Sequence, residues 1–202
     1  MKDTVLYIII ALSGYLLGSV NSSIIISRIM GKDDIRKQGS GNPGTTNMLR
    51  SVGKMAALYT LIGDLVKGAA AALFGYLIMR GNGAAIGSAA VILGHAFPVY
   101  FGFKGGKGIA TGAGLLLIMD WRVFIVAVGL FAVLTVLTKY VSIGSIAAAL
   151  TNMIMLPALH INNIFYICAA VFISILILFR HRNNIIKLLN KTENKLSFTK
   201  KE

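Results

Sequence analysis

The sequence predicts an all-α polytopic membrane protein with about seven transmembrane helices, its N-terminus outside and its C-terminus cytoplasmic. Three observations predict this. Of the 202 residues, 56% are hydrophobic, above the roughly 45–50% of soluble domains. The apolar residues fall in uncharged runs such as "TVLYIIIALSGYLLGSV" and "FYICAAVFISILILF", close to the about 17–25 residues that cross a bilayer. The 20 Lys and Arg, against 7 Asp and Glu, gather in alternate loops, which sets orientation.

The spans fall near residues 4–27, 64–79, 83–101, 108–119, 122–138, 143–159 and 163–179. The first follows only Lys2 and Asp3, and no A-x-A-like cleavage site comes after it, so it reads as a retained helix rather than a leader. The second is set to begin near Asp64, because an earlier start places Asp64 and Lys67 in hydrocarbon, where a charge costs about 2.5–3.5 kcal/mol. Residues 51–63 are then expected along the interface or folded back into the protein. The fourth span is short and rich in glycine. The chain forms one integral membrane domain, 1–202. From Arg180, the basic background around Ile185, Ile186, Leu188 and Leu189 predicts an amphipathic cytoplasmic tail, 180–202, that frays into "KTENKLSFTKKE".

Loop 28–54 carries Arg28, Lys32, Arg36, Lys37, Arg50 and Lys54; Lys104, Lys107, Lys139 and the basic tail fall on the same side. Lys2, Arg80 and Arg122 fall on the other. The positive charge thus marks cytoplasmic loops. No soluble basic stripe with interleaved aromatics is present, so nucleic acid is not an expected partner. One cysteine, Cys168, excludes an internal disulfide and a cysteine-based metal site.

Four polar groups fall on the cytoplasmic side. The first is "KQGSGNPGTTNMLR". Gly39, Gly41 and Gly44 spell G-x-G-x-x-G, but a dinucleotide fingerprint follows a strand inside a βαβ unit. This one follows an apolar helix and contains Pro43. Its physical content is a concavity of backbone N–H groups, neutral donors from Ser40, Asn42, Thr46 and Asn47, and the planar cation of Arg50. The second, "GHAFPVYFGFKGGKGIATG", sets Gly105, Gly106 and Gly108 around Lys107, with Lys104 and His95 nearby. It is not a Walker A loop, which needs four residues between its glycines and a hydroxyl after the lysine. The third, "GDLVKG", spaces Asp64 and Lys67 for pairing on one helix face. In the fourth, "RHRNNI", His181 and Asn184 share a face if the helix continues. A one-sided polar site between water and lipid suits an enzyme joining a phosphate compound to an apolar one. A transporter is expected to carry polar residues near mid-bilayer and an inverted repeat, and neither is present.

In this order the motifs resemble the membrane acyl-phosphate:glycerol-3-phosphate acyltransferases of bacterial phospholipid synthesis, over nearly the whole chain. Thr45 stands where many members have Ala or Ser. The resemblance implies transfer of a fatty acyl group from acyl phosphate to the 1-hydroxyl of glycerol 3-phosphate in the inner membrane. The products are lysophosphatidic acid and phosphate. It implies catalytic roles for Ser40, Asn47, Arg50, Lys107 and His181. It implies substrate contacts for Gly41, Asn42, Gly44, Thr46, Lys67, His95, Lys104, Gly105, Gly106 and Asn184. Glycerol 3-phosphate, acyl phosphate and membrane lipid are the implied partners, with no metal and no cofactor. The residues agree in part. There is no G-x-S-x-G elbow. The H-x-x-x-x-D motif of thioester-using glycerophosphate acyltransferases is missing, since Tyr100, Phe165 and Ile186 stand five residues after the three histidines.

Overall fold

In a computed structural model the described residues, 2–196, are helical with short connections. The first apolar run forms two helices, α1 (Lys2–Ser19) and α2 (Ser22–Ile29), where the sequence predicts one span over 4–27. Asn21 causes the break. Its side-chain oxygen accepts from the Ile24 N–H at 3.2 Å and from Ser23 Oγ at 2.8 Å, capping α2. The interruption also frees the Val20 carbonyl, which accepts from Lys67 Nζ at 2.9 Å.

A short helix, α3 (Thr45–Ser51), precedes α4 (Lys54–Ala96). The backbone of α4 leaves helical geometry at Met79 and Arg80, where φ is −131° and 50°, and the two arms fold into a hairpin. The Gly75 and Gly83 backbones meet between the arms with no room for a Cβ. The first arm begins at Lys54, ten residues before the start expected at Asp64. Met55, Tyr59, Ile62, Val66 and Leu77 are exposed along it, so its apolar outer face runs from the first turn. The charges that argued for a late start face inward instead. Asp64 pairs with Lys67 at 2.9 Å and accepts from Ser22 Oγ at 2.9 Å. A paired and hydrogen-bonded charge avoids most of the penalty of an isolated one.

Then follow α5 (Ile109–Met119), α6 (Trp121–Thr138), α7 (Val141–Leu159), α8 (Ile164–Arg180) and α9 (Arg182–Leu189). Four helical stretches among the described residues are long and apolar enough to cross a membrane: 2–29, 54–101, 121–138 and 141–159. The pair α8–α9, bent by 53°, makes a fifth if counted as one. Helix α5 has 11 residues and is the short, glycine-rich element expected. It sits close against α4 because Gly68 and Gly114 press their backbones onto the Thr111 and Leu65 carbonyls. The core between these helices is aliphatic, built on Ile92, Leu115, Leu156 and Ile173.

A satellite core of Ile24, Ile35, Met48 and Ala56 anchors loop 30–53. At the far end of α5, Asp120 binds Arg122 at 2.6 Å and His160 at 2.9 Å, tying the α5–α6 turn to the α7–α8 turn. Helix α9 covers the first part of the expected tail, with Ile186 and Leu189 exposed. Its continuation does not fray over 191–196. The Leu196 N–H donates to the Lys139 carbonyl at 2.7 Å, and Lys195 lies over the Tyr140 ring. Residues 197–202 of the expected tail lie outside the described residues.

Candidate active site

Three connections converge at one end of the bundle: loop 38–44 with α3, loop 104–108 with the start of α5, and the α8–α9 junction with residues 190–194. The first is shaped by Asn47, which turns back from α3. Its Oδ1 accepts from the Ser40 N–H at 2.9 Å, and its Nδ2 donates to the carbonyls of Ile35 (3.1 Å) and Gln38 (2.9 Å). Gly39, at φ +55°, crosses this amide where a Cβ would strike the Asn47 oxygen. The amide is spent on the loop's shape, and Asn47 is buried. One turn on, Arg50 reaches across the site to donate to the Asn194 carbonyl at 3.1 Å.

The second connection is drawn tightly onto the protein. The Gly105 and Gly106 N–H groups donate to the Ala96 and His95 carbonyls. A Cβ at Gly106 would meet His95 Nε2 and the Pro43 carbonyl, so this position accepts only glycine without displacement. Pro98, just after α4, starts the turn that returns the chain here. Lys107 then projects its Nζ to Asn184 Oδ1 at 2.6 Å, and Asn184 Nδ2 donates to Glu193 Oε1 at 2.7 Å. Burial, opposed by Glu193 and reinforced by Arg180, pushes the Lys107 ammonium down to about 8. Helix α5 starts immediately afterwards, and free N–H groups in a first turn favour an anion.

The third connection places His181 one residue past the end of α8. Its Nδ1 lies 2.8 Å from the Ile177 carbonyl. A carbonyl only accepts, so Nδ1 carries the proton and Nε2 is left as an acceptor. Burial, then the Lys107 charge, lowers His181 to about 4, so the ring is neutral at pH 7.

These groups surround one end of a cavity of about 490 Å³. Ser40, Asn42, Gly44, Thr46, Asn47, Arg50, His95, Lys107, His181 and Asn184 line it. Gly41, Lys67, Lys104, Gly105 and Gly106 do not. Gly41 shapes its turn at φ +73°, Lys104 is exposed, and Gly105 and Gly106 stand behind Lys107. Lys67 is turned toward Asp64 and the Val20 carbonyl, and His95 Nδ1 lies 3.3 Å from Thr111 Oγ1. The other end is apolar and passes between α4, α5, α6, α7 and α8, along Leu65, Leu116, Phe124, Ala127, Ala149 and Ile173. Glu193 and Asn194 also line the cavity, and sequence reasoning missed both. Glu193 is the one acid in 180–196, a signal that could have singled it out.

A helical membrane protein with a cationic, hydrogen-bonding chamber opening onto an apolar groove belongs to the class that handles a phosphate compound beside a lipid chain. The glycerol-3-phosphate acyltransferase family model matches residues 8–191, and the chain belongs to this family. Named glycerol-3-phosphate acyltransferases resemble it closely. That of Shouchella clausii is 45% identical, covering 92% of this chain and 93% of the relative. That of Syntrophotalea carbinolica is 39% identical, covering 94% and 97%. Two crystal structures of PlsY (YgiH), an integral membrane glycerol 3-phosphate acyltransferase, share the fold. The glycerol 3-phosphate form superposes with a TM-score of 0.89 at 32% identity, and the lysophosphatidic acid form with 0.87 at 31%. Each comparison covers 95% of this chain and 96% of the other.

Proposed function

We propose that this glycerol-3-phosphate acyltransferase takes its acyl group from acyl phosphate and transfers it to the 1-hydroxyl of glycerol 3-phosphate, with no metal and no covalent enzyme intermediate. The observation that carries the reading is the single cavity that joins Arg50, Lys107 and His181 to an apolar groove. Both substrates of such a transfer bear phosphate, and one bears a long hydrocarbon chain. Crystal structures of the related PlsY in glycerol 3-phosphate and lysophosphatidic acid forms support the acceptor and the product.

Acyl phosphate is a mixed anhydride, so positioning and charge stabilisation suffice for its transfer. Arg50 and Lys107 hold the phosphates, with the N–H groups at the start of α5. Ser40, Asn42, Thr46 and Asn184 add neutral contacts, and Asn47 keeps their loop in shape. The acyl chain lies in the groove. The acceptor hydroxyl, with His181 beside it, donates to a phosphate oxygen and attacks the acyl carbonyl carbon. The bond from that carbon to the phosphate oxygen breaks, and the proton passes to a phosphate oxygen. A phosphate monoester with a second pKa of about 6 is a better base than His181 at about 4. Gly41, Gly44, Gly105 and Gly106 shape the two anion loops, His95 and Lys67 brace them from beneath, and Lys104 adds charge at the entrance.

The reading includes one integral membrane domain in the bacterial inner membrane with seven spans: α1, the two arms of α4, and α5 to α8. The N-terminus is outside, and the site and C-terminus are cytoplasmic. The positive-inside distribution supports this orientation, because Arg28, Lys32, Lys37, Lys54, Lys104 and Lys139 flank the site end. The test uses purified protein in lipid with glycerol 3-phosphate and palmitoyl phosphate, palmitoyl-CoA or palmitoyl carrier protein in separate reactions. Lysophosphatidate formed with acyl phosphate alone is the expected result. Turnover only with a thioester overturns the choice of donor.

A further inference from the structure

We propose that Arg180 is a positioning residue for the transfer, aligning the Lys107 loop through two backbone carbonyls. The inference rests on the reading of Lys107 as a phosphate ligand. From the sequence, Arg180 is expected to be an interfacial anchor. In the fold its guanidinium turns inward over the Phe97 ring. Its Nη2 donates to the Gly105 carbonyl at 2.6 Å and its Nε to the Gly106 carbonyl at 3.1 Å. Both sides of the loop are therefore held. The Gly105 and Gly106 N–H groups bond the end of α4, and their carbonyls bond Arg180.

This fork does more than brace the chain. A peptide unit is planar and trans, so its N–H points opposite to its carbonyl. With the Gly106 carbonyl fixed on Arg180, the Lys107 N–H points away from Arg180. Lys107 and Gly108 line the cavity, and this N–H joins the donors at the start of α5. Arg180 is not among the lining residues, so it acts through the loop and not on the substrate. A planar fork with fixed donors reaches both carbonyls in one orientation, whereas a single ammonium cannot hold that geometry. The guanidinium charge also bears on the Lys107 ammonium and favours its neutral form.

The test is steady-state kinetics across pH in lipid for the wild type, Arg180→Lys, Arg180→Gln and Arg182→Gln. Arg182 stacks on Phe179 outside the site and serves as the control, with unchanged kinetics expected. In Arg180→Lys the KM for glycerol 3-phosphate is expected to rise about tenfold or more with a smaller change in kcat, since a displaced binding group costs up to about 10². In Arg180→Gln the same rise is expected, and the alkaline limb of kcat/KM moves to higher pH because a neighbouring cation is gone. A KM within twofold of wild type in Arg180→Lys overturns the proposal. So does an equal fall in kcat and unfolding temperature with KM unchanged, which is the mark of a structural brace. If Arg180→Gln does not fold, Arg180→Lys decides alone. Should the wild type not use acyl phosphate, the donor reading fails by itself. Calorimetric binding of glycerol 3-phosphate to the same variants then decides the role of Arg180, with a tenfold weaker Kd in Arg180→Lys supporting it and an unchanged Kd refuting it.

Discussion

Lys107 and Asn184, 77 residues apart, meet at 2.6 Å between the ammonium and the amide oxygen. Lys107 arrives on a glycine loop and Asn184 on the first turns of α9, and Glu193 holds the amide's other end. The contact settles which way the ammonium points before any substrate arrives. Replacing Asn184 with Ala releases both Lys107 and Glu193. A fall in kcat/KM for glycerol 3-phosphate of about tenfold or more is expected, carried by KM, and initial-rate kinetics checks it.

The same ammonium predicts an alkaline limit. Lys107 is charged below its pKa, which burial brings down to about 8. On its alkaline side kcat/KM should therefore hold its plateau up to about pH 8 and decline as pH rises through it. Lys107→Arg, whose guanidinium stays charged, should lower the plateau and remove this limb.

The acid side of the profile separates two proton acceptors. His181 titrates near 4, whereas a substrate phosphate titrates near 6. A limb near pH 6 that persists in His181→Gln identifies the phosphate. A limb that disappears in that variant returns the role to His181.

Arg50 spans the chamber from α3 to the Asn194 carbonyl and is exposed. Arg50→Ala should cost roughly 10²–10³ in turnover, the loss expected when a preorganised charge donor is removed. Its unfolding temperature should stay at the wild-type value. A thermal melt beside the rate assay checks both.

Below the site, Asp64 and Lys67 carry a stability prediction. Both are buried, and they bond each other, Ser22 and the Val20 carbonyl. Lys67→Met leaves Asp64 charged and unpaired, at a cost of about 3–5 kcal/mol. The double variant Asp64→Leu, Lys67→Met should recover most of this loss, because the unpaired charge is gone. Denaturation in detergent of the two single variants and the double variant measures the coupling.

Much of this protein was determined by the sequence alone. Uncharged runs of spanning length and a one-sided distribution of Lys and Arg identify a helical membrane protein. Four motifs in one order carry the resemblance to the acyltransferase family. Local chemistry suffices there, because hydropathy, glycine spacing and charge are properties of short segments. Tertiary structure decided what those segments meet. Asn21 splits the first run, and Lys67, from another helix, takes the freed carbonyl. The first arm of α4 begins at Lys54 because the charges of Asp64 and Lys67 find partners inside the bundle. A hydropathy argument prices them as though exposed to lipid. Asn47 looks like a ligand in the sequence and spends its amide on its own loop. Arg180 looks like an anchor and holds the Gly105 and Gly106 carbonyls, 75 and 74 residues back in the chain. Glu193 and Asn194 look like tail and form a wall of the chamber. Each of these side chains has an unspecialised local context, and its hydrogen-bond partners exist only once distant backbone is folded against it.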